Sequence, residues 1–260
     1  MSSEPAVLRS LSDGVCTLTL NRPEAKNSLS VELVGALHDA LAAAIADDDT
    51  RVVVLTNAGN TFCAGADLKA TRPGVGDQGG PTFVDVFKLI QASPTPIVGR
   101  IDGHATGGGV GLVAACDLSV MRDDAKIGFT EVRLGVAPAV ISVVCLPKMR
   151  RSDASELFLT GRRFTPGHAA DVGLINRAVA AEELDVVVDG WVGELVRGGP
   201  TALGAAKDLI TRIPEMDDDA AFEWTAVRSQ ELFDGPEAQA GIAAFRERTD
   251  APWVPETFRS

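Results

Sequence analysis

Three stretches of this 260-residue sequence hold residue types that could do chemistry together. Phe62-Cys63-Ala64-Gly65-Ala66-Asp67-Leu68 and Gly107-Gly108-Gly109 are glycine-bearing turns, each after an apolar run, and Glu131 stands among Phe129, Val132, Leu134 and Val136. Glycine lets a backbone approach a ligand closely. Where such a turn opens a helix its N–H groups are free, and two turns from adjacent βα units can converge on an oxygen that becomes negative during a reaction. Taken singly, each turn is more readily an ordinary βα connection. A carboxyl in apolar surroundings favours its neutral form, so its pKa rises and it can exchange a proton near neutral pH. The alternative for Glu131 is an exposed glutamate or one paired with Arg133.

Other chemistries are poorly supported. Neither turn fits a phosphate-binding loop, and no Gly-x-Gly-x-x-Gly follows the first strand with an acid about twenty residues on, which argues against a nicotinamide dehydrogenase. Ser28 and Ser142 lack a Gly-x-Ser-x-Gly context. The cysteines at 16, 63, 116 and 145 form no Cys-x-x-Cys pair, and His38, His104 and His168 are the only histidines. The cysteines therefore read as structural or lining thiols, with no metal site, and His104 as a structural or pocket-wall residue.

The elements that must position these groups alternate. Residues 15–20 read as a half-buried strand, a helix runs from Ser30 to the acidic run at 47–49, and 51–56 is a β-branched apolar run expected of a parallel strand covered on both faces. Residues 71–81 are rich in Gly and Pro and read as a mobile loop. A helix over 83–92, a strand near 96–101, a short helix over 110–116 and a strand over 118–121 follow. This succession predicts right-handed βαβ units, and therefore an α/β fold. Beyond residue 150 the pattern turns helical, at 152–159, 183–197, 201–213 and 218–232.

Bulk properties narrow the partners. With 45% hydrophobic residues the chain can bury a large core. A formal net charge of −12 makes nucleic acid and anionic membrane surfaces poor partners. An anionic ligand would need local cations and helix N-termini. The first twenty residues show no secretory or membrane-anchoring run, so a cytoplasmic protein is expected.

The order Leu20-Asn-Arg-Pro-Glu-Ala-Lys-Asn-Ser-Leu29, Phe62-Cys-Ala-Gly-Ala-Asp-Leu68, Asp102-Gly-His-Ala-Thr-Gly-Gly-Gly109, Cys116-Asp117 and Glu131-Val-Arg-Leu-Gly135 resembles the enoyl-CoA hydratase/isomerase, or crotonase, family over nearly the whole chain. The pattern is nearest to bacterial hydratases of the methylglutaconyl type. The resemblance implies a crotonase-like ββα spiral core over residues 1–195, and a C-terminal helical trimerisation region over 196–260. It implies a homotrimer or homohexamer acting on an acyl-CoA, with coenzyme A as part of the substrate and no separate cofactor. It assigns the oxyanion-hole donors to the backbone N–H groups of Ala66 and Gly108, and the acid/base to Glu131. It lines the CoA and substrate site with Ala64, Gly65, Asp67, Leu68, Gly107 and Gly111, with Arg22 and Lys26 as cationic neighbours.

One departure bears on the reaction. The better-known hydratases carry a second glutamate where this chain has Gly111, leaving no side chain there to orient the attacking water. Asp67, Asp85 and His104 are nominees for that task. Hydration of an enoyl-CoA is the first expectation, Δ3,Δ2-isomerisation by the single glutamate the second, and a non-catalytic acyl-CoA-binding protein the third.

Overall fold

A computed structural model describes residues 4–67 and 79–259. Its strands are β1 Val7–Ser12, β2 Val15–Leu20, β3 Val52–Asn57, β4 Thr61–Cys63, β5 Ile97–Ile101, β6 His104–Thr106, β7 Leu118–Arg122, β8 Ile127–Gly128, β9 Arg163–Phe164 and β10 Arg177–Val179. Its helices are α1 Val31–Ile45, α2 Phe83–Ala92, α3 Gly108–Ala115, α4 Ala139–Cys145, α5 Arg151–Thr160, α6 Pro166–Asp171, α7 Leu184–Leu195, α8 Pro200–Arg212, α9 Asp218–Asp234 and α10 Pro236–Glu247.

Six strands form one sheet in the order β1-β2-β3-β5-β7-β10, and four form a second in the order β4-β6-β8-β9. The larger sheet is parallel from β2 to β10, with β1 antiparallel at its edge. β3 is buried along its whole length because both its faces are covered. Val53 and Leu55 pack in one apolar cluster with Leu33, Leu37 and Leu41 of α1, while Val52 and Val54 pack in another with Leu184, Val188 and Val192 of α7. This sandwiching explains why the strand is a continuous apolar run rather than an alternating one.

The α/β succession of the larger sheet follows the expected order. The smaller sheet was not foreseen. Its strands are two or three residues long, too short to show a period, and one of them, β6, runs through residues the sequence presents as a glycine cluster. β4, β6 and β8 are parallel, and their C-terminal ends lead directly to Ala66, Gly108 and Glu131. The site expectations therefore converge on the end of the sheet that the sequence hides.

The C-terminal helices are tied to the rest of the chain by polar anchors. Lys207 on α8 donates to Asp117 Oδ2 at 2.7 Å, and the same oxygen accepts the Ile97 N–H at 2.7 Å. Arg51 donates to the carbonyls of Gly198 and Trp253, each at 2.8 Å. α9 has no fully buried residue, and it leaves Phe222 at 76% exposure and Phe233 at 62%. No helix among the described residues is long and apolar enough to cross a membrane.

Candidate active site

The loop after β2 sets the first turn in place. Asn27 is fully buried, and its side-chain amide donates to the carbonyls of Ala58 and Thr61 while its oxygen accepts the Arg22 N–H at 2.7 Å. The loop so fixed offers the Lys26 carbonyl to the Ala64 N–H at 3.0 Å, and the Leu29 N–H donates to the Gly65 carbonyl at 2.8 Å. Leu29 and Ala66 form a parallel bridge. Because Leu29 supplies the bonded groups of that bridge, the N–H of Ala66 points away from it.

The second turn packs directly onto the first. Thr106 Oγ1 donates to the Ala64 carbonyl at 3.0 Å. Gly65 has φ +86°, and a Cβ there would stand 2.7 Å from the Thr106 carbonyl oxygen and 3.1 Å from the Gly108 nitrogen. Only glycine meets both conditions. A Cβ at Gly108 would in turn lie 3.9 Å from the Ala66 nitrogen. Gly108 opens α3, so its N–H has no acceptor within the helix. Neither it nor the Ala66 N–H reaches a backbone acceptor among the described residues. Two free donors from separate turns thus stand side by side at a helix N-terminus, an arrangement suited to a developing negative oxygen.

Glu131 begins a 3-10 turn just beyond β8. Its Oε2 is buried and has no hydrogen-bond partner. Burial pushes its carboxyl pKa up, partly offset by a backbone hydrogen bond at Glu131 itself. Arg133 forms no ion pair with it; the Arg133 Nε points to the Thr160 carbonyl at 3.4 Å. A Cβ at Gly107 would lie 3.3 Å from Glu131 Oε1, so the carboxyl rests against the turn that carries the Gly108 donor. The apolar surround expected from Leu134 and Val136 is different in the structure: these two are 58% and 57% exposed and form open wall.

Lys26, Ala64, Gly65, Ala66, Gly107, Gly108 and Glu131 line one cavity of about 1330 Å³. Leu68 lies outside the described residues, as does most of the expected loop over 71–81. Arg22 is not brought to the cavity. Its guanidinium is held by Glu32 and by the carbonyls of Glu4, Pro5 and Asn21, so it braces the chain start and offers no charge to the site. Asp67 is half-buried and likewise does not line the cavity. Asp85 is removed from the water-positioning nominees by its role as a helix cap: it accepts from the Thr82 N–H at 2.8 Å and from the Thr82 hydroxyl at 2.7 Å, and these bonds hold its pKa down. His104 does line the cavity, with its Nδ1 accepting the Lys126 N–H at 3.0 Å.

Several lining residues have no signal in the sequence. Thr61, Thr106, Lys126 and Arg163 come from one face of the smaller sheet, where His104 pairs with Thr61 and Gly128 with both Thr106 and Arg163. Lys126, Arg133, Arg163 and Lys26 give the wall four cations in a chain of net charge −12. An anionic ligand would find there the local positive field that the whole protein lacks.

Gly111 is placed differently from the expectation. It lies inside α3, fully packed, and a Cβ there would stand 2.5 Å from Ile141 Cγ2 and 2.7 Å from Phe87 Cζ. It does not line the cavity. The room that a longer side chain would need is taken by two apolar residues.

The comparisons with known proteins agree with one another. The family model described as enoyl-CoA hydratase/isomerase matches residues 10–256. A Thermus thermophilus protein whose name assigns it provisionally to the enoyl-CoA hydratases is 34% identical over 244 residues, covering 90% of this chain and 95% of its own. A crystal structure of an enoyl-CoA hydratase from Mycobacterium smegmatis superposes with a TM-score of 0.87 at 33% identity, over 96% of this chain and 99% of that one. One from Mycobacterium tuberculosis gives 0.87 at 29% identity, over the same shares.

Proposed function

The chain belongs to the enoyl-CoA hydratase/isomerase family, and on that basis we propose that it is an enoyl-CoA hydratase that uses Glu131 as its single acid/base. The observation that carries the reading is the contact of the buried Glu131 carboxyl with Gly107, beside the paired N–H groups of Ala66 and Gly108. In this reading those two N–H groups hold the thioester oxygen, and they stabilise it most as it gains enolate charge. The cations of the cavity wall, Lys26 among them, receive the phosphates of the CoA moiety, which enters as part of the substrate with no separate cofactor.

Both oxygens of one carboxyl suffice for addition of water to one face of the double bond. The neutral acid gives its proton to Cα, while the other oxygen takes a proton from the water whose oxygen bonds to Cβ. Glu131 ends the cycle protonated, as it began, and the thioester gains one water. Oε2, buried and without a hydrogen-bond partner, would have to turn toward the cavity to take that proton. Close holding of water and alkene supplies the orientation that a second carboxylate would otherwise share.

A second reading is favoured by the packing at Gly111. With Ile141 and Phe87 there, no second acid can enter, and a single carboxylate can carry a proton from C2 to C4 of a Δ3-enoyl-CoA, as an isomerase does. Loss of the enoyl absorbance of crotonyl-CoA tests hydration; formation of the conjugated thioester from a Δ3-enoyl-CoA tests isomerisation. Hydration above the buffer rate is expected, and isomerisation with no hydration overturns the first reading.

We assign the protein to the cytoplasm as a homotrimer or homohexamer, with residues 196–260 supplying the contact. Exposed Ile210, Phe222, Val227, Phe233 and Phe245 on α8, α9 and α10 support the assembly, since such side chains gain by being covered. Light scattering of the purified chain should give a mass of three or six copies, and a monomer would contradict the assignment.

A further inference from the structure

The apolar end of the cavity is organised around an absent side chain. Gly111 lies three residues into α3 from Gly108, a rise of about 4.5 Å along the axis. Ile141 lines the cavity, yet it is only 3% exposed because its Cγ2 fills the space over Gly111. Phe87, also 3% exposed, closes the same space from α2, and its ring meets that of Phe83, a lining residue, edge-on at 5.8 Å between centroids. The three elements α2, α3 and α4 therefore meet at one apolar corner.

We propose that Ile141, seated on Gly111 and backed by Phe87, is the specificity-determining residue for the acyl chain, setting how much carbon is accepted beyond C3. The inference rests on the reading of the cavity as an acyl-CoA site. If the thioester oxygen sits on the Gly108 N–H and C2 and C3 lie at Glu131, the next carbons run along α3 by one turn and reach Ile141. With Cγ2 committed to Gly111, the wall they meet is the rest of this apolar side chain, which invites neither a hydroxyl nor a charge. The position of Ile141 is itself conditional: it reaches into the corner only because Gly111 has no side chain.

Two substitutions should move selectivity in opposite directions. Ile141→Ala removes the wall and should raise the kcat/KM ratio of hex-2-enoyl-CoA to crotonyl-CoA by about tenfold or more, the scale of one to two methylenes in an apolar pocket. Gly111→Ala pushes Ile141 toward the substrate and should lower that ratio. Competitive inhibition by free CoA should be unchanged in both, because the CoA end is elsewhere. Equal losses on both substrates, or a constant ratio in both variants, would overturn the proposal. Calorimetry with saturated butyryl-CoA and hexanoyl-CoA reads the same corner without turnover. Thus a parent protein that binds acyl-CoA but turns over none refutes the hydratase reading, whereas a chain-length preference that Ile141→Ala leaves unmoved refutes this one. A parent that binds no acyl-CoA refutes both.

Discussion

A methyl group on Gly107 would stand 3.3 Å from Oε1 of Glu131. The carboxyl thus rests on the turn whose next residue, Gly108, offers a free N–H, and no side chain intervenes. In the proposed reaction this contact would couple proton transfer to oxygen binding, since an oxygen held at the donors brings the neighbouring carbon to the carboxyl. Glu131→Gln preserves the shape and removes the proton carrier. Turnover of crotonyl-CoA should fall by about 10²- to 10⁴-fold, while binding of a saturated acyl-CoA measured by calorimetry stays within a few-fold. Full turnover in the variant would remove Glu131 from the mechanism.

The same burial has a stability consequence of definite sign. Burial raises the folded-state pKa of Glu131 above its unfolded value, so the folded protein binds this proton more tightly than the unfolded chain does. Its contribution is fully favourable below the ordinary carboxylate range and is lost as pH rises through the raised pKa. Glu131→Gln, which never ionises, should therefore melt higher than the parent at neutral pH. The difference should shrink as pH is lowered below about 4, the unfolded glutamate value. A difference that grows toward acid pH would contradict a buried, unpaired carboxyl.

The raised pKa also separates the two reactions. Hydration in the form proposed needs Glu131 neutral, so kcat/KM should fall as pH rises through its folded pKa. Isomerisation begins with the carboxylate removing a C2 proton, so kcat/KM should rise through the same value. A pH–rate profile on each substrate, with Glu131→Gln as the blank, reads the sign of this limb. A limb of the same sign on both substrates would mean that a group other than Glu131 is being titrated.

Gly65 makes the approach of the two turns possible, and a second glycine provides its control. Gly65 and Gly79 have nearly equal positive φ values, +86° and +83°, but a Cβ at Gly65 meets the Thr106 carbonyl at 2.7 Å whereas one at Gly79 meets nothing within 4 Å among the described residues. Gly79→Ala should cost about 1–2 kcal/mol from backbone strain alone. Gly65→Ala should cost that plus about 1–3 kcal/mol for the clash, and should lose turnover because the Ala66 and Gly108 donors are driven apart. Denaturant unfolding of the two variants, beside crotonyl-CoA hydration, measures both effects. Equal destabilisation by the two would show that the turns have room to spare.

What the sequence made legible follows from how each signal arises. α1 and α2 repeat their apolar pattern over fifteen and ten residues, enough to show a period, and β3 is marked by an unbroken run of β-branched and apolar residues. Ala64–Ala66, Gly107–Gly108 and Glu131 stand out in the sequence through their order and spacing in the family pattern, because a glycine turn or a lone glutamate taken singly has an ordinary structural reading. β6, β8 and β9 could not be read, because strands of three and two residues have no period, and with them went Thr106, Lys126 just before β8, and Arg163 as lining residues. Arg22 illustrates the converse failure. Its charge is visible in the sequence, but its direction depends on Glu32 and three backbone carbonyls brought near by folding.

Gly111 tests whether a missing carboxylate can simply be restored. The sequence suggests that Gly111→Glu would supply the second acid of a two-glutamate hydratase. The packing argues otherwise. The first carbon of the new side chain would fall 2.5 Å from Ile141 and 2.7 Å from Phe87, both nearly fully buried and each held by its own helix. Overpacking of this kind costs about 1–3 kcal/mol, and a carboxylate left in that corner without a partner costs more still. Gly111→Glu should therefore lower the melting temperature and reduce crotonyl-CoA hydration. Adding Ile141→Ala to it makes room for the carboxylate and should recover part of both losses, whereas the same change in the parent background opens a cavity and should lower the melting temperature. Unchanged melting with a gain in hydration from Gly111→Glu alone would mean that the corner opens readily, and that the glycine, not the isoleucine above it, limits the reaction.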